Sequence, residues 1–244
     1  PGTDLKEEHL ILTAHWDHLG VGKAKDGDSI YNGAVDNASG TACLLEIANA
    51  FAKAKIETKR SVTFLAVTAE EQGLLGSAWY SANPIIPASK TIANINMDAL
   101  NPNGPMKDLT VIGYGQSELE DIAKPFVEAQ GRYILPDQEP GKGFFFRSDH
   151  FNFAKIGIPA FYAKGGYDHA EKGKEYAENA RMDYLKNQYH QPQDEVDTTT
   201  IDLTGMVQDA RIFFNMTKKI AEDDIYPEWK EGSEFKEIRE ASLE

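Results

Sequence analysis

A chain of 244 residues with a formal charge of −14 lacks the clustered Lys and Arg that a phosphate-binding face requires, so nucleic acid is not an expected partner. Hydrophobic residues at 41% and aromatics at 10% supply a packed core, which excludes disorder by composition and leaves one large α/β domain or two small ones. The single cysteine, Cys43, excludes an internal disulfide, and no apolar run approaches the ~20 residues that span a bilayer as a helix.

The chain opens on Pro1-Gly2-Thr3-Asp4, close to a strand and without a signal peptide, and reads as a piece of a longer protein; the compartment is left open. Residues 10–14 form a short apolar strand ending at His15-Trp16-Asp17-His18, and residues 20–33, rich in Gly, Asp, Lys and Asn, read as a loop. Residues 33–40, Gly-Ala-Val-Asp-Asn-Ala-Ser-Gly, lead into a helix on which Leu44, Ile47, Ala48 and Phe51 recur at i, i+3, i+4 and i+7. Cys43 lies beside that stripe and reads as a packed thiol. Residues 61–67 read as a buried strand, which is followed at once by the adjacent carboxylates Glu70 and Glu71. Residues 74–82 form a short helix closed by Asn83-Pro84, residues 91–97 a strand with Asp98 after it, and residues 109–113 another strand. Ser117 and Glu120 resemble a capping box for a helix running to Gln130-Gly131.

A Gly/Pro-containing loop over 136–147 carries Phe144-Phe145-Phe146-Arg147, and Ser148-Asp149-His150 opens a short helix with Asp149 as its cap. Residues 158–162 form a further strand, and a polar helix near 177–187 ends at Tyr189-His190. The last long helix begins near Asp202 with Leu203, Met206, Val207, Ala210, Phe214 and Thr217 on one face; the tail after Glu222 is highly charged and contributes little core. His9 and His169 read as solvated, and His18 as a loop residue or a support for a ligand.

Strands alternating with helices give an α/β sandwich with a largely parallel sheet. In such folds sites lie beyond the C-terminal ends of strands, where His15, Glu70, Glu71 and Asp98 all stand. A bare Glu-Glu pair is ordinarily a solvated loop and a lone histidine ordinarily structural. Together with Asp36 and His190, however, these positions offer imidazole and carboxylate ligands suited to zinc, and also to cobalt or manganese. Two histidines and three carboxylates exceed one open catalytic site and suit two metals sharing a carboxylate. Either Glu70 or Glu71 is then left as a general base.

The segments Ala14-His15-Trp16-Asp17, Gly33 to Gly40, Ala69-Glu70-Glu71-Gln72-Gly73, Asn96-Met97-Asp98, Ser148-Asp149-His150, Gly157-Ile158-Pro159-Ala160 and Tyr189-His190-Gln191-Pro192-Gln193-Asp194 resemble the dizinc aminopeptidases of metallopeptidase family twenty-eight, relatives of the glutamate carboxypeptidases. The resemblance covers roughly residues 10–220. It implies a three-layer α/β/α sandwich of the zinc-exopeptidase type, with a mostly parallel mixed central sheet. The catalytic domain would span 1–222, lacking an N-terminal portion, with a charged tail over 223–244. It also implies two Zn2+ per chain: His15 and Asp98 on one ion, Glu71 and His190 on the other, and Asp36 bridging. Glu70 would be the general base and Asp17 would orient His15, and the Asp36–Asn37 peptide is a candidate for the cis form. Phe144, Phe145, Arg147 and His150 are candidate pocket residues.

One position departs from the pattern. Some family aminopeptidases carry a tyrosine three residues before the Ser-Asp-His segment to stabilise the oxyanion; here that residue is Phe145, which has no hydroxyl. The carboxypeptidase relatives use a tyrosine before the last histidine ligand, which is Tyr189 here. The resemblance thus implies a peptide substrate and a zinc exopeptidase, first an aminopeptidase. A carboxypeptidase with Arg147 reading the substrate carboxylate, a single-zinc glutaminyl-cyclase-like transferase and an inactive binding module follow in that order. It further implies a periplasmic or secreted location and a protease-associated domain in the full-length protein.

Overall fold

The apolar run ending at His15 lies in the middle of a sheet. In the computed structural model, which describes residues 1–199 and 201–243, it is the second half of β1 (Leu5–His15). A hairpin of β2 (Gly20–Lys25) and β3 (Asp28–Tyr31) follows, then α1 (Ser39–Ala54), β4 (Arg60–Val67), α2 (Leu75–Ala82), β5 (Thr91–Asn96) and β6 (Asp108–Ile112). The second half runs α3 (Leu119–Ala129), β7 (Tyr133–Pro136), α4 (His150–Ala154), β8 (Ala160–Lys164), α5 (Gly173–Asn187), α6 (Thr204–Glu222) and α7 (Lys236–Leu243).

The main sheet has six strands in the order β4-β1-β5-β8-β6-β7. The first four are parallel; β6 pairs antiparallel with β8 and parallel with β7, which makes the sheet mixed. Because β1 and β5 are paired on both sides and covered on both faces, their sequences read as apolar runs rather than as alternation. The two-residue period still decides the face. Leu10, Leu12 and Ala14 of β1 meet Leu44, Ile47 and Phe51 of α1, Ala123 of α3 and Ile212, Phe213 and Met216 of α6. Ile11 points to the other side and packs with Tyr80 of α2, Phe153 of α4, Trp229 and Phe235. The result is the three-layer α/β/α sandwich expected from the sequence. Among the described residues, no helix is long and apolar enough to cross a membrane.

Several expectations are corrected. Residues 20–31 form an exposed hairpin rather than an irregular loop, and Tyr133–Pro136, for which the sequence predicts no element, form β7, a short, partly exposed edge strand. The capping box does not form: Glu120 accepts the Gly115 N–H at 2.8 Å and pairs with Lys230. The inward face of α6 is only partly the expected one: Thr217 is buried and Met206, Ala210 and Phe214 pack against the core. Leu203 and Val207 are exposed, whereas Asp209, Ile212, Phe213, Met216 and Ile220 are buried. Asp209 pairs with buried Arg132 at 2.7 Å and accepts the Gly165 N–H at 2.9 Å, so a carboxylate occupies a core position. His169, expected to be solvated, is buried, and its Nδ1 accepts the N–H groups of Glu171 and Lys172.

The tail is corrected most. Trp229 and Phe235 belong to the second core cluster, and the Trp229 indole donates to the Gly157 carbonyl at 2.8 Å. Arg239, also buried, donates to the carbonyls of Ala88 and Thr91. Few apolar residues among many charges conceal this layer in the sequence. Trp229→Ala is therefore expected to lower stability by ~3–5 kcal/mol. Leu203→Ala, on the face once expected to be buried, should cost less than about 0.5 kcal/mol. Denaturant titration of the metal-free protein measures both, and a near-neutral Trp229→Ala would contradict the packed tail.

Candidate metal centre

Parallel strands bring their C-terminal ends to one edge, and this edge collects the acidic and imidazole side chains. β1 ends on His15, β4 leads through Thr68-Ala69 to Glu70 and Glu71, and β5 leads through Met97 to Asp98. The carboxylate of Asp17 accepts the N–H groups of Glu70 at 3.1 Å and Glu71 at 3.3 Å, fixing the turn that presents both. Asn37 ties three segments together: its amide donates to the carbonyls of Met97 and His15, and its oxygen accepts the N–H groups of Gly40 and Ala99. Asp194, fully buried, accepts the N–H groups of Val35 and Asp36, so the segment after His190 holds the segment carrying Asp36. The Asp36–Asn37 peptide is cis, as the resemblance implies. Ala69, Ala99 and His190 adopt positive φ, a conformation disfavoured for side chains with a Cβ and held here by the surrounding hydrogen bonds.

The side chains converge closely. His15 Nε2 lies 3.2 Å from Asp36 Oδ1, 3.5 Å from Asp98 Oδ1 and 3.9 Å from Glu70 Oε2. His190 Nε2 lies 3.0 Å from Glu71 Oε2 and 3.3 Å from Asp36 Oδ2. Asp36 thus turns one oxygen to each imidazole. Asp98 is aimed by Ser148, whose hydroxyl donates to Asp98 Oδ2 at 2.6 Å and accepts from Asn96 at 2.7 Å. The Asn96 oxygen accepts in turn from the Thr13 hydroxyl, extending this polar ladder into the sheet.

The electrostatics follow from burying like charges together. Burial opposes a charged His15, but the Asp36 and Asp98 carboxylates beside it outweigh that and raise its pKa to about 12. Asp36 and Glu71 raise His190 to about 10. Burial, then the Asp98 charge, pushes Glu70 up to about 9. Glu71 goes the other way, to about 2, because His18 and His190 overcome its desolvation. In the metal-free chain, protons on imidazole therefore supply the positive charge the carboxylates require.

The donor set fits metal ions. The ligand atoms of His15, Asp36 and Asp98 lie within 4.8 Å of one another, as do those of His18, Asp36 and Glu71. Imidazole and carboxylate are the donors zinc takes. His15 Nε2 is buried with no hydrogen-bond partner, while Nδ1 faces the Asp17 carbonyl at 3.2 Å. A proton on Nδ1 would leave Nε2 as the free donor. Asp17 thus orients His15 chiefly through its backbone; its carboxylate stands 3.7 Å away and serves the Glu70-Glu71 turn. His18, set aside in the sequence, reaches the cluster, with Nδ1 2.6 Å from Glu71 Oε1.

A cavity of about 630 Å3 opens over the cluster. Phe144, Phe146 and Arg147 line it, together with Tyr162, Lys164, Tyr167, Tyr184 and Tyr189. Two expected pocket residues do not. Phe145 turns into the apolar cluster of Phe151 and Phe235, and His150 is fully buried between the rings of Phe145 and Tyr162. Burial in that apolar setting depresses the His150 pKa to about 3. Asp149 stands at the N-cap position of α4, as expected, but its side chain makes no capping bond: it is buried and accepts from the Ser77 hydroxyl, and burial raises its pKa to about 7. Tyr189 stacks on His190 with ring centroids 3.8 Å apart. Asn37, Ser148 and Asp194 lie inside the segments that carry the resemblance, which is the signal that marks them; nothing marks Tyr162, Lys164 or Tyr184.

Comparison with known proteins agrees with this geometry. The model of Peptidase family M28 matches residues 1–215. An aminopeptidase of Pseudomonas aeruginosa (strain UCBPP-PA14) is 30% identical over 217 residues, covering 81% of this chain and 39% of the relative. Leucine aminopeptidase 2 of Arthroderma otae is 30% identical over 209 residues, covering 77% and 37%. The chain therefore spans about two fifths of the length of these curated relatives. Among solved structures, BSAP, a zinc aminopeptidase from Bacillus subtilis, superposes with a TM-score of 0.67 at 18% identity, covering 97% of this chain and 50% of that one. A glutaminyl cyclase of Porphyromonas gingivalis superposes with a TM-score of 0.58 at 20% identity, covering 86% and 73%. With the family model matched over most of its length, the chain belongs to peptidase family M28.

Proposed function

We propose that this chain is the catalytic part of an aminopeptidase that removes N-terminal residues from peptides with two zinc ions. The observation that carries the reading is Asp36, whose two oxygens face His15 and His190 at 3.2 and 3.3 Å. His15 and Asp98 would hold one ion, Glu71 and His190 the other, and Asp36 both. Bound zinc supplies Lewis acidity, which polarises the scissile carbonyl and activates water. The aminopeptidase names of the P. aeruginosa and A. otae relatives support the choice of peptide end. Asp36 belongs to two ligand trios, one with His15 and Asp98 and one with His18 and Glu71, and His190 stands 3.0 Å from that same Glu71; two groups sharing one carboxylate favour this reading over a single-metal transferase.

The chain's own residues have separable tasks. Glu70 stands beside the first trio without closing on an imidazole, its nearest one 3.9 Å away. Its carboxylate takes a proton from the attacking water and returns it to the leaving amine, so the proton count closes within one turnover. Asp17 holds the backbone that aims Glu70. Tyr189, half-exposed on the cavity wall, donates its hydroxyl to the oxyanion that develops on the carbonyl, a task Phe145 cannot perform.

Glu70→Gln is expected to lower kcat by ~10²–10⁴-fold while bound zinc, measured by atomic emission, stays at the wild-type level. Unchanged turnover would overturn the assignment of the base. Tyr189→Phe should reduce kcat by ~10²-fold with little change in KM; a loss confined to KM would make Tyr189 a binding residue only. Peptides acetylated at the N-terminus should resist the enzyme and C-terminally amidated ones should not. The reverse pattern would establish a carboxypeptidase.

A further inference from the structure

The cavity has two electrically opposite walls. Its acidic lining residues, among those described, are Asp36, Glu70, Glu71 and Asp98, all in the metal cluster. Lys142, Arg147, Lys164 and Arg181 line the remainder. In a chain with 39 acidic and 25 basic residues, a wall that carries cations and no carboxylate runs against composition.

The four cations differ in their partners. Arg181 is neutralised by Glu139 at 2.7 Å and Glu178 at 3.0 Å, and Lys142 by Glu139 at 2.6 Å. Lys164 and Arg147 have no carboxylate partner among the described residues. The Lys164 ammonium lies 5.5 Å from the centre of the Tyr162 ring, and the Arg147 guanidinium 5.9 Å from that of Phe144. An aromatic face offsets part of the charge but does not replace an anion.

Lys164 is half-buried at the C-terminal end of β8, which neighbours β5, the strand leading to Asp98. The backbone beyond it is fixed. Asp108 accepts the N–H groups of Gly166, Tyr167 and Asp168, and Asp209 accepts that of Gly165. A partly desolvated ammonium on a rigid wall, without a counterion, is set up to gain from an entering anion.

We infer that Lys164, assisted by Arg147, binds a carboxylate of the substrate, so that the preferred peptides carry an acidic group close to the scissile bond. This rests on the aminopeptidase reading and narrows it. The carboxylate comes either from an acidic N-terminal side chain or from the C-terminus of a dipeptide.

The test compares kcat/KM of the zinc-loaded chain for Glu-anilide against Gln-anilide, and for Ala-Ala against Ala-Ala-amide. At least one ratio should exceed tenfold in the wild type: the first if the side chain is read, the second if the C-terminus is. That ratio should fall at least tenfold in Lys164→Met and recover in part in Lys164→Arg. Because the wild-type ratios are informative alone, a poorly folded variant does not remove the test. Turnover with both ratios near one, or a ratio that survives Lys164→Met, overturns the carboxylate site and leaves the aminopeptidase reading standing. Failure to cleave any of the four substrates removes that reading and this inference with it.

Discussion

Four carboxylates crowded within a few ångströms of the His15 and His190 imidazoles, largely out of water, are the constraint around which this fold is arranged. Two like charges 4 Å apart repel by about 4 kcal/mol at an effective dielectric of 20, so such a cluster forms only where backbone geometry enforces it and cations offset it. Without metal, the imidazoles hold protons far above their ordinary range, and Glu70 resists ionisation. Protons and divalent ions compete for the same donor atoms, which couples metal binding to proton release.

Enforcement comes from the sheet and from three polar side chains. The parallel strands deliver His15, Glu70, Glu71 and Asp98 to one edge. Asn37 locks the ends of β1 and β5 to the start of α1, Asp194 clamps the backbone of Asp36, and Asp17 clamps that of Glu70 and Glu71. Each of these residues bonds chiefly to main-chain groups, which is how a short polar side chain fixes a loop without a regular element. The opposite layer, closed by Trp229 and Phe235, carries Phe145 and His150 away from the cavity and leaves Phe144, Phe146 and Arg147 to face it.

Much of this was legible in the sequence because apolar runs mark buried parallel strands and strand ends mark the site edge. His15, the Glu70-Glu71 pair and Asp98 stand out for that reason. What stayed hidden depends on contacts distant in the chain. Asp194 meets Val35 and Asp36 about 160 residues away, and no local pattern signals the pairing. Asp209 takes a core position on α6 only because Arg132 meets it there, in line with the buried Ile212, Phe213, Met216 and Ile220. Trp229 lies in a stretch whose charges dominate its composition, although one indole and one phenyl ring suffice to close a layer. Phe145 and Phe146 are adjacent on a tight turn with their rings edge to face 5.5 Å apart, yet only Phe146 lines the cavity, which residue type alone does not decide.

The central claim is that one carboxylate, Asp36, serves two metal ions. Calorimetric titration of metal-stripped protein with zinc measures it most directly. The account requires two sites per chain in the wild type and weakened binding at both in Asp36→Ala. A single site in the wild type, or loss of only one site in Asp36→Ala with the other unaffected, would contradict it.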